Sequence, residues 1–141
     1  MNSAGRILAL DLGSKRIGLA LSDNLRITAQ PHSTLENGKP ETVVEAIREI
    51  VEHENVTEIV IGNPKRLDGS SGEMANAAKN LAARLRESLS LPIRLWDERF
   101  STHAAERALL EGNVRRAKRK KVVDQTAAAW ILQGYLDSRK K

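Results

Sequence analysis

The sequence predicts a single α/β domain: a five-stranded sheet with helices packed on both of its faces. Three observations carry that expectation. Ile7–Leu10 and Ile17–Leu21 are apolar at nearly every position, the pattern of strands covered on both sides. Short apolar runs then alternate with longer stretches whose apolar residues recur at helical spacing. Finally, 141 residues without an internal repeat, linker or low-complexity tract fit one domain, residues 1–141, with a sizeable core.

Taken in order, Met1–Gly5 is a short lead-in, and the first two strands follow, joined by the turn residues Gly13-Ser14-Lys15-Arg16. Leu25–Ala29 alternates with period two and runs into Pro31, which predicts a third strand near an edge, because proline cannot donate to a ladder. After the loop Asn37–Lys39, Pro40 opens a helix to about Glu54, with Val43, Ile47, Ile50 and Val51 on one face. Glu58–Ile61 reads as a short buried strand, and Lys65–Gly72 as a polar loop at its end. Ser70 and Glu73 have capping-box spacing for the next helix, which carries Met74, Ala77, Ala78, Leu81 and Leu85 to about Ser88. Ile93–Trp96 is the fifth strand, ending in Asp97-Glu98-Arg99. A helix capped by Ser101 or Thr102 stops near Gly112, a basic loop follows, and a last helix runs from Val122 to about Asp137.

Composition narrows the functional classes. Cysteine is absent, which excludes disulfides and thiolate zinc sites. The N-terminus has no apolar signal core and no run reaches membrane-spanning length, so the cytoplasm is the expected location and no membrane partner is expected. Four aromatic residues, Trp96, Phe100, Trp130 and Tyr135, are too few for a base-stacking platform. The two tryptophans are expected in the core. The net charge of +5 is concentrated: Arg115, Arg116, Lys118, Arg119, Lys120 and Lys121 fill six of seven positions. Such a run suits a polyanion, most commonly nucleic acid, and equally the plainer role of a solvated surface or a frayed tail.

Asp11 demands an explanation, because an aspartate in an apolar strand is costly unless it is paired, metal-bound or at the solvent end. Asp97 and Glu98 also stand at a strand end, where sites collect in open α/β sheets. Strand parity alone does not choose between them. Asp124 comes three, four and seven residues before Ala127, Ala128 and Ile131, so it lies on the sheet-facing side of the last helix. Its ordinary role there is to favour the helix dipole from the first turn. Convergent carboxylates without histidine or cysteine suit Mg²⁺ or Mn²⁺. Two such ions can activate water and stabilise the leaving oxygen at a phosphodiester. His32, His53 and His103 form no ligand pair, and no nucleophilic-serine, P-loop or dinucleotide-binding pattern occurs.

Four blocks in order, LALDLGSKRIGLALSD, VIGNPKRLDGSSG, LWDERFST and KKVVDQTAAAWIL, resemble the YqgF/RuvX family over Arg6 to about Leu136. These are RNase H-like proteins related to Holliday-junction resolvases and also described as pre-16S rRNA processing nucleases. The resemblance implies an RNase H-like fold with a central mixed sheet. It implies a catalytic, metal-binding set of Asp11, Glu98 and Asp124 holding Mg²⁺ or Mn²⁺, two ions in all. Lys15, Arg16, Lys65, Arg66, Arg99, Arg115, Arg116, Lys118, Arg119, Lys120 and Lys121 become the expected nucleic-acid contacts. The function implied is hydrolysis of phosphodiesters in maturation of the small-subunit ribosomal RNA precursor, by a monomer or weak dimer. The alternatives are a resolvase of four-way DNA, which needs a dimer, and an RNA-binding module without catalysis. An actin-like ATP site, suggested by Asp11, Gly13 and Gly18, would need a second domain that 141 residues do not supply.

Overall fold

The structure, a computed structural model, describes residues 5–63, 72–97 and 116–139, with side chains from residue 127 onward in the last segment. Five strands, β1 (Arg6–Leu12), β2 (Arg16–Ser22), β3 (Ala29–Glu36), β4 (Val56–Asn63) and β5 (Ile93–Asp97), form one sheet in the order β3-β2-β1-β4-β5. β1–β2 and β2–β3 pair antiparallel, whereas β1–β4 and β4–β5 pair parallel, so the sheet is mixed. The described helices are α1 (Pro40–His53), α2 (Glu73–Ser88) and α3 (Arg116–Ser138). None of them is long and apolar enough to cross a membrane.

The two-sided apolar pattern of β1 is realised as two cores. Leu8, Leu10 and Leu12 pack with Val43 and Ile47 of α1 and Leu81 and Leu85 of α2. Ile7 and Ala9 face the other way, onto Ala128, Ile131, Leu132 and Leu136 of α3. Alternation along one strand therefore feeds helices on both faces.

Three elements differ from expectation. The third strand begins at Ala29, not Leu25, because the carboxylate of Asp23 competes for the backbone of residues 25–28. Asp23 accepts from the N–H groups of Ile27 (2.8 Å), Thr28 (2.9 Å) and Leu25 (3.3 Å). Those donors, Thr28 foremost and then Ile27, hold its carboxyl below the usual range. Arg26 takes a left-handed conformation, φ 59°, and its guanidinium reaches Gly5 O (2.9 Å) and Thr57 Oγ1 (2.6 Å). Pro31 does lie on an edge strand, beside a register shift opposite Leu19 and Ala20. Second, the N-cap of α2 is Gly72 and Glu73 is the first helical residue, not the third that a capping box would need; Ser70 lies outside the described residues. Third, the last helix begins at Arg116, so residues 116–121 are helical where a loop was expected. The helix expected over residues 101–112 lies outside the described residues.

Candidate active site

The parallel strands β1, β4 and β5 end on the same side of the sheet, and Asp11 stands at the end of β1. It shares the parity of Ile7 and Ala9 and therefore projects on the α3 face. Its partner across β2 is Gly18. Continuing the β1–β4 register one residue past Leu10–Ile61 brings Gly62 beside it on the other side, and Gly62 pairs in turn with Trp96. Asp11 is thus flanked within the sheet by two glycines. Gly13 closes the β1–β2 turn tightly: its N–H donates to Arg16 O (2.8 Å), and a Cβ there would stand 2.8 Å from that oxygen. The turn puts Lys15 and Arg16 at the same end of the sheet as Asp11.

The ambiguity between Asp97 and Glu98 is resolved on one side. Trp96 packs on the α3 core and Leu95 on the α1/α2 core, so Asp97 has the parity opposite to Asp11. Glu98 lies outside the described residues, as do Arg99, Lys65, Arg66 and Arg115.

Asp124 is not in the first turn of its helix. With α3 starting at Arg116, Asp124 comes more than two turns in. A dipole interaction reaches only the first turn, so that role does not account for it. One and two turns further on, Ala128 and Ile131 are 0% and 2% exposed against the sheet, which sets position 124 on the sheet-facing stripe. The direction of α3 is fixed at its other end, where the Tyr135 hydroxyl donates to Glu58 at the start of β4. From Tyr135 back to position 124 is ~16 Å along the axis. From Glu58 up to Gly62 is ~13 Å along the strand. Position 124 therefore comes level with the row that holds Asp11. The first two turns of α3 carry Arg116, Lys118, Arg119, Lys120 and Lys121 with no acid among the first-turn residues. Cations there oppose the helix dipole and one another.

Among the described residues no three histidines or acids gather to hold a metal. Of the three expected carboxylates, only that of Asp11 is described as a side chain. A cleft of about 570 Å³ opens between α1 and α2, lined by Leu12, Val43, Ala77, Leu81 and Arg84. It lies across the sheet from Asp11 and gathers no acidic cluster.

Sequence reasoning missed Glu58. Its side chain is 5% exposed and is met by Arg94 Nε (2.9 Å), Arg139 Nη1 (3.2 Å), Arg26 Nη1 (3.5 Å) and Tyr135. Burial first, then the hydrogen bond and charge of Glu58, push the Tyr135 hydroxyl up to about 12. The signal was available: an acid within a buried strand, the reasoning applied to Asp11, applies to Glu58 as well.

Comparison with known proteins agrees with this architecture. A family model described as "RuvX: Holliday junction resolvase" matches residues 5–138. A protein of Lachnospira eligens is 47% identical over 139 residues, covering 96% of this chain and 99% of its own. One of Geobacillus kaustophilus is 47% identical over 137 residues with the same coverage. One of Myxococcus xanthus is 44% identical over 135 residues, covering 96% and 89%. Each carries the name "Putative pre-16S rRNA nuclease". Among solved structures, T. thermophilus RuvC in complex with Holliday junction substrate superposes with a TM-score of 0.60 at 11% identity, covering 96% of both chains. The Fowlpox virus resolvase with Holliday junction DNA gives 0.56 at 11%, covering 96% and 99%. The fold is that of the RNase H-like resolvases.

Proposed function

The chain belongs to the RuvX family, and from that membership we propose that it is a divalent-metal nuclease that matures the 5′ end of the small-subunit ribosomal RNA precursor. It is a hydrolase of phosphodiester bonds; the substrate, the site residues and the metal are the proposal. The observation that carries it is Asp11, at the end of a doubly covered strand between two glycines, level with position 124 of α3.

Asp11, Glu98 and Asp124 are the proposed ligands. Glu98, which lies outside the described residues, enters the set through the family resemblance of the D-E-R block. The donor set fits Mg²⁺ or Mn²⁺, because all three are hard carboxylate oxygens with no imidazole or thiolate among them. Asp11, Glu98 and Asp124 would hold the metal, which would supply activation of water and stabilisation of charge on the leaving oxygen. The carboxylates themselves orient the site, and like charges brought so close are tolerated only when cations or protons neutralise them. Lys15, Arg16 and the cations of α3 hold the phosphate backbone beside them, with Lys65, Arg66, Arg99 and Arg115 as further proposed contacts.

The basic turns of α3 make the clearest binding prediction. Neutralising Lys118, Arg119 and Lys121 to glutamine is expected to weaken RNA binding across sequences. The slope of log K against log salt should flatten by roughly 0.7–0.9 for each phosphate no longer neutralised. A salt titration of the folded variant with an unchanged slope would reduce these residues to a solvated face.

The substrate is tested by offering ribosomal RNA precursor and a synthetic four-way DNA junction side by side, with Mg²⁺ or Mn²⁺. Cleavage of the RNA alone supports the processing nuclease. Paired symmetric cuts in the junction support a resolvase, the reading the family description favours, and require a dimer. Binding without cleavage of either supports an RNA-binding module.

A further inference from the structure

At the end of the sheet away from Asp11, on the same α3 face, four charged side chains and a tyrosine are built into one cluster. Glu58 is its buried centre. Its Oε2 accepts from Arg94 Nε and the Tyr135 hydroxyl, and its Oε1 from Arg139 Nη1 and Arg26 Nη1. Arg26 is consumed by the protein, since its other donors go to Gly5 O and Thr57 Oγ1 and its side chain is 22% exposed. Arg26 and Glu58 therefore neutralise one another.

Arg94 and Arg139 are left over. Each spends one donor nitrogen on Glu58, and their side chains are 57% and 44% exposed. Each guanidinium has five N–H donors, so most point outward. Arg139 is further fixed by stacking over the Tyr135 ring at 5.4 Å, and that ring meets Trp96 edge-on at 5.5 Å. The two guanidinia are thus pre-oriented, carry two uncompensated charges, and have lost rotamer freedom before any ligand arrives. Such an arrangement recognises the oxygens of a phosphate through charge-assisted bonds.

We propose that Arg94 and Arg139, held in place by Glu58, form a second phosphate cradle that grips the backbone of the bound nucleic acid away from the cleavage site. It rests on the nuclease reading only in taking its ligand to be nucleic acid. Glu58 lies ~13 Å down β4 from the Asp11 row, and Arg94, paired with Val60, stands ~7 Å down β5 from it. Trp96, on the same face of β5 as Arg94, stands in the Asp11 row itself, paired with Gly62.

The test uses the full chain with Asp11→Asn to block cleavage, titrated with RNA duplexes at a series of salt concentrations. Arg94→Gln and Arg139→Gln are added singly and together. The expected result is a salt slope smaller by roughly 0.7–0.9 for each phosphate released from its guanidinium, with Arg94→Lys retaining it. In the cleaving background the same substitutions should raise KM and leave kcat unchanged, which loss of folding would not do. Should the double variant fail to fold, the single variants decide, since each leaves Glu58 two guanidinia. An unchanged slope in folded variants overturns the cradle and leaves the nuclease reading standing. A reduced slope in a protein whose parent never cleaves supports the cradle and removes the nuclease. No RNA binding by the parent overturns both.

Discussion

Asp11→Asn is expected to lower cleavage of precursor RNA by more than about a hundredfold while RNA binding is kept or strengthened. Loss of a mere supporting partner at a metal site costs roughly 10–100-fold, so loss of a ligand should exceed that. Asparagine keeps the shape and one oxygen but removes the charge that would hold the proposed divalent ion. The flanking Gly18 and Gly62 offer no side chain that could take over. Binding moves the other way, because a negative charge facing the phosphate is removed. Single-turnover cleavage and equilibrium binding on the same RNA separate the two effects. Equal loss of both would mean that Asp11 supports the fold rather than the chemistry.

Glu58→Ala is expected to cost stability on the order of 3 kcal/mol, the lower end of the range for breaking a buried ion pair, because its arginine partners reach solvent. That corresponds to a fall in Tm on the order of 10 °C for a chain of this size. The loss has a physical source on each side of the cluster. Three guanidinia lose their common counter-charge, and the Tyr135 hydroxyl, 8% exposed with its ring, loses its acceptor. Thermal unfolding of the variant beside Tyr135→Phe measures both. The same pair predicts an alkaline limit. The hydroxyl is pushed up to about 12 from an ordinary value of 10.0. Its contribution is therefore complete below pH 10 and is lost as pH rises through about 12. A wild-type protein whose alkaline unfolding matches that of Tyr135→Phe would contradict the assignment.

Asp11 stood out in the sequence because both parities of its strand are apolar, so an acid there must be paired, metal-bound or at the solvent end. Cover on both faces of the sheet followed from the same run, whereas its mixed character was implied by the family resemblance and is observed in the pairing. Other features depend on information that one strand or helix does not hold. The face of β5 on which Asp97 stands is not held in the strand's own sequence, and the packing of Leu95 and Trp96 on opposite cores gives Asp97 the parity opposite to Asp11. The third strand was misplaced because period-two alternation over Leu25–Ala29 says nothing of Asp23, whose carboxylate collects the N–H groups of the turn. Leu25, 75% exposed, is a turn residue with a strand-like neighbour pattern. The start of the last helix was misplaced because a run of like charges suggests a loop, while lysine and arginine are good helix formers despite that shared charge. That error concealed the strongest point about Asp124, which a first-turn position made ordinary and a third-turn position does not.

If three carboxylates from separate segments make one divalent-metal site, a calorimetric Mn²⁺ titration shows it most directly. The proteins compared are the full chain and its variants Asp11→Asn, Glu98→Gln and Asp124→Asn. The wild type is expected to bind two ions and each variant to lose the tighter one, with Tm unchanged or raised as carboxylate repulsion is relieved. Mn²⁺ binding that is the same in all four proteins would contradict a shared site.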